Sequence, residues 1–260
     1  MRILSVFLVV LFGMFVGASS TPVAAETVDK APERHAELVV ILHGIARTGQ
    51  SMKAIQKALQ DAGYETFNIT YPSTRKNLDA LADDLHEAHL KQLWQTYDGK
   101  IHIVTHSMGG LLARRYLTRY GKEIPEGRLG RIVMLAPPNG GSEIADLLHG
   151  FAPYRRYYGP AGQELTTSAA QERLAAETKA LETLHAELGI IAGTKEWPYI
   201  AAAFIVPGKG DGRVSVEKTK MPSMKDHITV SATHTFIMDR PDVHRHIIRF
   251  LQEGKFHHEP

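Results

Sequence analysis

The sequence predicts an α/β fold class: a mostly parallel central sheet covered by helices on both faces. Three observations carry this expectation. Leu38-Val-Val-Ile-Leu42 is a continuous apolar, β-branched run of the kind that forms a central parallel strand buried on both faces. Further short apolar runs alternate with stretches whose apolar residues recur at helical spacing, the pattern of strands linked through helices. The length of 260 residues, 43% of them hydrophobic, suits one large α/β domain with an ample core.

Taken in order, residues 26–37 are polar and read as a flexible lead-in, and the folded domain spans residues 38–252. His43-Gly44 ends the first strand, and Met52, Ile55 and Leu59 mark one face of a helix that Gly63 stops. Tyr64 to Ile69 is a second strand, closed by Tyr71-Pro72. Leu78, Leu81, Leu85 and Ala88 mark another amphipathic helix. Ile101, Ile103 and Val104 form a buried strand running into Ser107, and Met108, Leu111, Leu112 and Tyr116 share a face of the helix that follows. Arg131 to Leu135 is the next strand, ending in Ala136-Pro-Pro-Asn-Gly-Gly141. From 142 to about 198 the pattern changes. Aromatics and arginines cluster at Tyr154 to Tyr158, and an Ala/Glu-rich helical stretch runs to about Leu188, which reads as a cap or lid inserted into the sheet domain. Tyr199 to Val206 resumes as a buried strand and His227 to Ser231 as a shorter one. Asp239 and Pro241 open a last helix with Val243, Ile247, Phe250 and Leu251 on one face, and residues 253–260 are a polar tail. No internal repeat is evident.

Charge is nearly balanced, 30 basic against 28 acidic residues, so no broad basic field points to nucleic acid, and partners are expected to be small or neutral. Arg2, the apolar run Ile3 to Val16 and the small residues up to Val23-Ala24-Ala25 read as a secretory signal peptide over residues 1–25, cleaved before Glu26. The run is short for a membrane span, which takes about 20 residues. An uncleaved amino-terminal anchor is the alternative. With no cysteine, neither a disulfide nor a lipid on an amino-terminal cysteine can form. The expectation is a soluble exported protein, periplasmic or secreted.

The chemistry centres on Ile101-His-Ile-Val-Thr-His-Ser-Met-Gly-Gly110. A serine at a tight strand-to-helix junction is pushed out of the sheet on a strained backbone, beside helix amides that stabilise negative charge. The usual pattern is Gly-x-Ser-x-Gly, and Thr105 stands where the first glycine would be. A serine hydroxyl becomes a nucleophile when a histidine takes its proton and a carboxylate orients that histidine. Asp211, between glycines in the turn-rich Pro207 to Ser215 loop, is the best acid, and His234, in the loop before the final helix, is the best base. Glu143 and Asp146 are alternative acids, and His227, His244 and His246 are competing histidines. An oxyanion hole needs amides aimed at the developing charge. Met108 supplies one, and the turn His43-Gly44-Ile45 can supply a second from Ile45.

Leu42-His-Gly-Ile45, Thr105-His-Ser-Met-Gly-Gly110, Pro137-Pro-Asn-Gly-Gly-Ser142, Asp211-Gly-Arg-Val and His234 together resemble the α/β-hydrolase superfamily on its lipase and esterase side, over residues 38 to 252. The resemblance implies carboxylic-ester hydrolysis through an acyl-enzyme. Ser107, Asp211 and His234 match the triad, and Ile45 and Met108 match the oxyanion donors. No cofactor and no metal are implied, and the expected partner is a small ester or lipid. Two other readings stay open: a thioesterase or acyltransferase on the same triad, and a non-catalytic binding protein that kept the fold.

Other signals are weaker. Ser73-Thr-Arg-Lys76 fits the Ser-x-x-Lys pattern but follows a strand end and lacks the companion motifs. His86-Glu-Ala-His89 has the wrong offset for a zinc helix, and His257-His258 sits in the polar tail. Tyr154 to Tyr158, with Arg155 and Arg156, reads either as a lid facing substrate or a transient lipid-surface contact, or as packing within the cap.

Overall fold

The computed structural model describes residues 37–196 and 208–258. Its strands are β1 (Glu37–Leu42), β2 (Glu65–Ile69), β3 (Lys100–His106), β4 (Leu129–Leu135), β5 (Leu188–Gly193) and β6 (Met224–Val230). All pair in parallel, in the order β2-β1-β3-β4-β5-β6. Residues 1–36, with the expected signal peptide and nearly all of the lead-in, and the strand expected at Tyr199 to Val206 lie outside the described residues. Glu37, expected to end the lead-in, already belongs to β1.

Side chains that alternate along each strand build two cores. Leu38, Val40 and Leu42 of β1, with Ile101, Ile103, Ile132, Met134, Leu188 and Ile190, face α2 (Leu78–Leu85) and α4 (Met108–Tyr120). Val39, Ile41, Val104, Val133, Leu135 and Ile191 face α1 (Lys53–Asp61) and α9 (Pro241–Glu253). Neighbouring residues of one strand therefore sit in different cores, which is why these strands read as unbroken apolar runs. Helix α2 runs through a π-turn at His86–Leu90 into α3 (Lys91–Thr96). After the short α8 (Val216–Thr219), helix α9 starts at Pro241, as expected, and stops at Gly254 in the left-handed region.

The sequence expectation fails at one strand. Leu188–Gly193, placed in the cap, is β5, fully buried between β4 and β6. Two glycines dilute its apolar run and it follows a helix with almost no break, so the strand signal merges into the helical stretch. The segment between β4 and β5 is correspondingly shorter than the cap expected to run to about 198. It holds α5 (Glu143–Leu148), α6 (Ala152–Gln163) and α7 (Thr167–Thr183). Helix α6 is broken at Gly159, whose φ of 64° suits glycine, and a Cβ there would overlap the Thr74 carbonyl oxygen. Helix α7 is tied to α4 by Arg114 and Glu177, both fully buried, with Nη2 and Oε2 2.9 Å apart.

Candidate active site

Ser107 stands between β3 and α4 with φ 53° and ψ −126°, a conformation that L-residues rarely adopt. Backbone bonds hold it there: its amide donates to the Leu135 carbonyl at 2.8 Å, and its own carbonyl accepts from Gly110 at 2.9 Å. The start of α4 then passes so close to β1 that a Cβ on Gly109 would come within 2.7 Å of the Leu42 and His43 carbonyl oxygens. Any larger residue at 109 would push the helix off the sheet. Thr105 is buried, and its hydroxyl has no hydrogen-bond partner among the described residues.

The three predicted side chains meet. His234 Nε2 lies 2.9 Å from Ser107 Oγ, and His234 Nδ1 lies 2.7 Å from Asp211 Oδ2. An ionised carboxylate only accepts, so Nδ1–H donates to Asp211, leaving the Nε2 lone pair to accept the Ser107 hydroxyl proton. Asp211 Oδ1 accepts from the amides of Arg213 at 3.0 Å and Val214 at 2.9 Å, which fixes the carboxylate in its turn. The His234 amide donates to the Asp211 carbonyl at 2.9 Å, joining the two loops a second time. Relative exposures of 7% for Ser107, 5% for His234 and 0% for Asp211 put the chain of bonds out of bulk water, where each is stronger.

The competing residues stand apart from this series of bonds. Asp146 accepts from the Thr167 amide and hydroxyl, both at 2.8 Å, at the start of α7. The Glu143 carboxylate has no hydrogen-bond partner among the described residues. His227 Nε2 lies 3.0 Å from Thr219 Oγ1, His244 Nε2–H donates to the Met238 carbonyl at 2.8 Å, and His246 stands edge-on to Phe256. Ser73 accepts from the Ala46 amide at 3.1 Å while Lys76 pairs with Asp84, so the Ser-x-x-Lys match has no catalytic geometry. His86 stacks on Tyr120 with ring centroids 3.8 Å apart. Among the described residues, no cluster of His, Cys, Asp or Glu could hold a metal ion.

The amides of Ile45 and Met108 have no hydrogen-bond acceptor among the described residues. Met108 is the first residue of α4, where a helix amide is unpaired by construction. Ile45 lies in the turn after β1, and that turn is braced by residues the sequence reading passed over. The Tyr71 hydroxyl donates to the His43 carbonyl, the Tyr71 amide donates to His43 Nε2 at 3.2 Å, and the two rings stack at 4.1 Å. His43 Nδ1–H donates to the Gly44 carbonyl at 2.8 Å. Burial lowers the His43 pKa, which agrees with a neutral ring that donates through one nitrogen and accepts through the other. The Ala46 amide bond to Ser73 secures the far side of the turn, where Ala46 itself has φ 54°.

A cavity of about 320 Å³ reaches Ser107 and His234. Its walls are mainly apolar and come from the cap (Ile144, Leu148, Tyr154, Tyr158), from Leu165, and from Val214 beside the acid. Apolar walls converging on a few placed polar groups describe a small-molecule site.

Residues 39–243 match the alpha/beta hydrolase family. No curated protein matches the chain in sequence. Among solved structures, the mature lipase BlEst2 of Bacillus licheniformis superposes with a TM-score of 0.66 at 18% identity, covering 81% of this chain and 89% of that one. Phospholipase PlaB of Legionella pneumophila gives 0.62 at 15% identity, covering 84% of this chain and 60% of that one. The metagenomic carboxyl esterase MGS0156 gives 0.58 at 15%, covering 78% and 65%. At such identities the likeness is one of fold. With the parallel sheet, the strained serine turn and the match over most of its length, the chain belongs to the alpha/beta hydrolase family.

Proposed function

We propose that this hydrolase cleaves carboxylic esters of apolar acyl groups by a serine mechanism. The observation that carries the reading is the unbroken hydrogen-bonded series Ser107–His234–Asp211 at the wall of an apolar cavity. Ser107 Oγ attacks the ester carbonyl carbon as its proton passes to His234 Nε2. The carbonyl oxygen becomes an oxyanion facing the amides of Ile45 and Met108. The tetrahedral intermediate collapses, the ester C–O bond breaks, and the imidazolium returns its proton to the departing alkoxide. Water then attacks the acyl-enzyme carbonyl as its proton passes to His234 Nε2, the Ser107 Oγ–acyl bond breaks, and the imidazolium returns the proton to Ser107 Oγ as the acid leaves. Asp211 holds the imidazole in the required tautomer and stabilises its charged form.

Two further elements belong to the proposal. Residues 1–25 act as a cleaved signal peptide that exports the chain to the periplasm or beyond. Leu147 of α5, Phe151 just before α6 and Tyr157 of α6 are exposed by 61%, 60% and 63%, and Arg155 and Arg156 of α6 are exposed as well. Apolar rings next to cationic side chains suit transient contact with an anionic lipid surface holding the substrate. Amino-terminal sequencing of the exported protein tests the first element, with Glu26 expected as the new terminus. Sedimentation with anionic against neutral vesicles tests the second.

The central reading is tested by assaying wild type and Ser107→Ala on p-nitrophenyl esters of increasing acyl length. Turnover that depends on Ser107 supports it, and equal rates sink it. Thioester turnover faster than ester turnover would move the same triad to a thioesterase.

A further inference from the structure

We propose that His106 is a positioning residue that holds the base in register with the nucleophile, through a hydrogen bond from its Nε2–H to the backbone carbonyl of His234. The inference rests on the serine mechanism proposed above. It starts from a group which that mechanism does not use: an imidazole 1% exposed, one residue before Ser107, with its Nε2 3.0 Å from the His234 carbonyl oxygen.

The acceptor is a carbonyl, so Nε2 carries the proton and the neutral ring has a bare Nδ1. That Nδ1 is buried and has no hydrogen-bond partner among the described residues. It faces Gly44, where even a Cβ would come within 2.9 Å. A buried nitrogen without a partner carries a cost. The tautomer is nevertheless fixed, because only Nε2–H reaches an acceptor.

The consequence is a double grip on one histidine by two adjacent residues. Ser107 Oγ meets the His234 ring at 2.9 Å while His106 holds the His234 main chain at 3.0 Å. Asp211 does the same from the other side, with its carboxylate on the ring and its carbonyl on the His234 amide. The His234 side chain and both of its backbone polar groups are thus tied to the segments that carry nucleophile and acid. A shift of the His234 loop would lengthen the proton-transfer contact directly.

Imidazole also suits the electrostatics. Complete burial holds the His106 pKa well below the ordinary histidine value, and the titratable and charged groups facing it, His234, Arg47 and Arg213, lower it further. When His234 becomes an imidazolium during turnover, its neighbour at a ring-centroid distance of 5.0 Å stays uncharged and does not repel it. A lysine or arginine donor at 106 would.

The test pairs two polar replacements. His106→Gln places its amide nitrogen near the Nε2 position and keeps the donor. His106→Asn places it near Nδ1, where there is no acceptor. For a short p-nitrophenyl ester, His106→Asn is expected to lose about 10- to 100-fold in kcat with little change in KM, the scale of a small displacement of catalytic groups. His106→Gln should recover most of that loss. In the wild-type protein, the ¹⁵N shifts of His106 should report a neutral Nε2–H tautomer at the ordinary histidine pKa and above it.

A folded His106→Asn with wild-type kcat would overturn the proposal, as would a His106→Gln no better than His106→Asn. Should neither variant fold, an Nδ1–H tautomer or a titrating ring in the wild type would overturn it alone, and the Nε2–H tautomer would uphold it. Ser107→Ala separates the two levels. If that variant keeps full activity, the serine mechanism fails. If it is inactive while His106→Asn is unimpaired, only the role of His106 fails.

Discussion

At the turns that carry Ser107 and Asp211, position is set chiefly by main chain; among the cap helices, it is set chiefly by side chains. Ser107 is fixed by amide and carbonyl bonds and by the close pass of Gly109, and Asp211 by two amides of its own turn. The cap helices α5–α7 instead depend on the buried Arg114–Glu177 pair, on Asp146 bonded to Thr167, and on aromatic packing of Tyr154 and Tyr158. Main-chain bonds survive most substitutions, whereas a cap built on side chains can be resized without moving the nucleophile. Under the proposed ester hydrolysis, the difference assigns the chemistry to the sheet and acyl selection to the cap.

Asp211→Asn is the strongest test of that separation. Loss of the carboxylate removes the tautomer that frees Nε2, with an expected fall in kcat of about 10⁴-fold. Short and long esters should suffer equally, and a loss confined to long esters would break the comparison.

Glu177→Ala leaves Arg114 buried without its counter-ion and should destabilise the fold by about 3–5 kcal/mol, measured by urea titration. The chemistry of a short ester in the surviving folded fraction should be nearly unchanged. Replacing the pair together, Arg114→Met with Glu177→Leu, should restore most of the stability.

Gly159→Ala forces a left-handed backbone on alanine and a clash with Thr74, for a cost above about 1 kcal/mol. Because Tyr158 adjoins this break and lines the cavity, the profile across acyl lengths should change along with the melting temperature.

Leu148→Ala should have the smallest effect. It widens the cavity wall, so kcat/KM for the best-fitting ester should fall by about tenfold or less, with the acetate ester unaffected. An equal loss on acetate would mean that the cap also positions the reacting groups.

What could be read from sequence follows the same division. β1, the strand-to-helix turn at Ser107 and the final helix are local patterns, an apolar run, a small-residue turn, a proline start, and all appear where expected. Ser107, Asp211 and His234 were legible because each sits in its own turn, and the structure brings the three together. Tyr71 and Ser73, which brace the turn holding Ile45, lie 28 and 27 residues from their partners His43 and Ala46, and no local signal announces such contacts. β5 was missed because Gly189 and Gly193 weaken a short apolar run that only neighbouring strands identify. The Arg114–Glu177 pair was missed because two charged residues on separate helices look solvated until the helices pack.

The central claim, that Ser107 is the nucleophile activated by His234, is met most directly by treating the folded protein with a fluorophosphonate and mapping the adduct by peptide mass spectrometry. One phosphonylated residue is expected, Ser107, with labelling slowed severely in His234→Ala and undiminished in Leu148→Ala. An adduct on another residue, or labelling of Ser107 that is indifferent to His234, would contradict it.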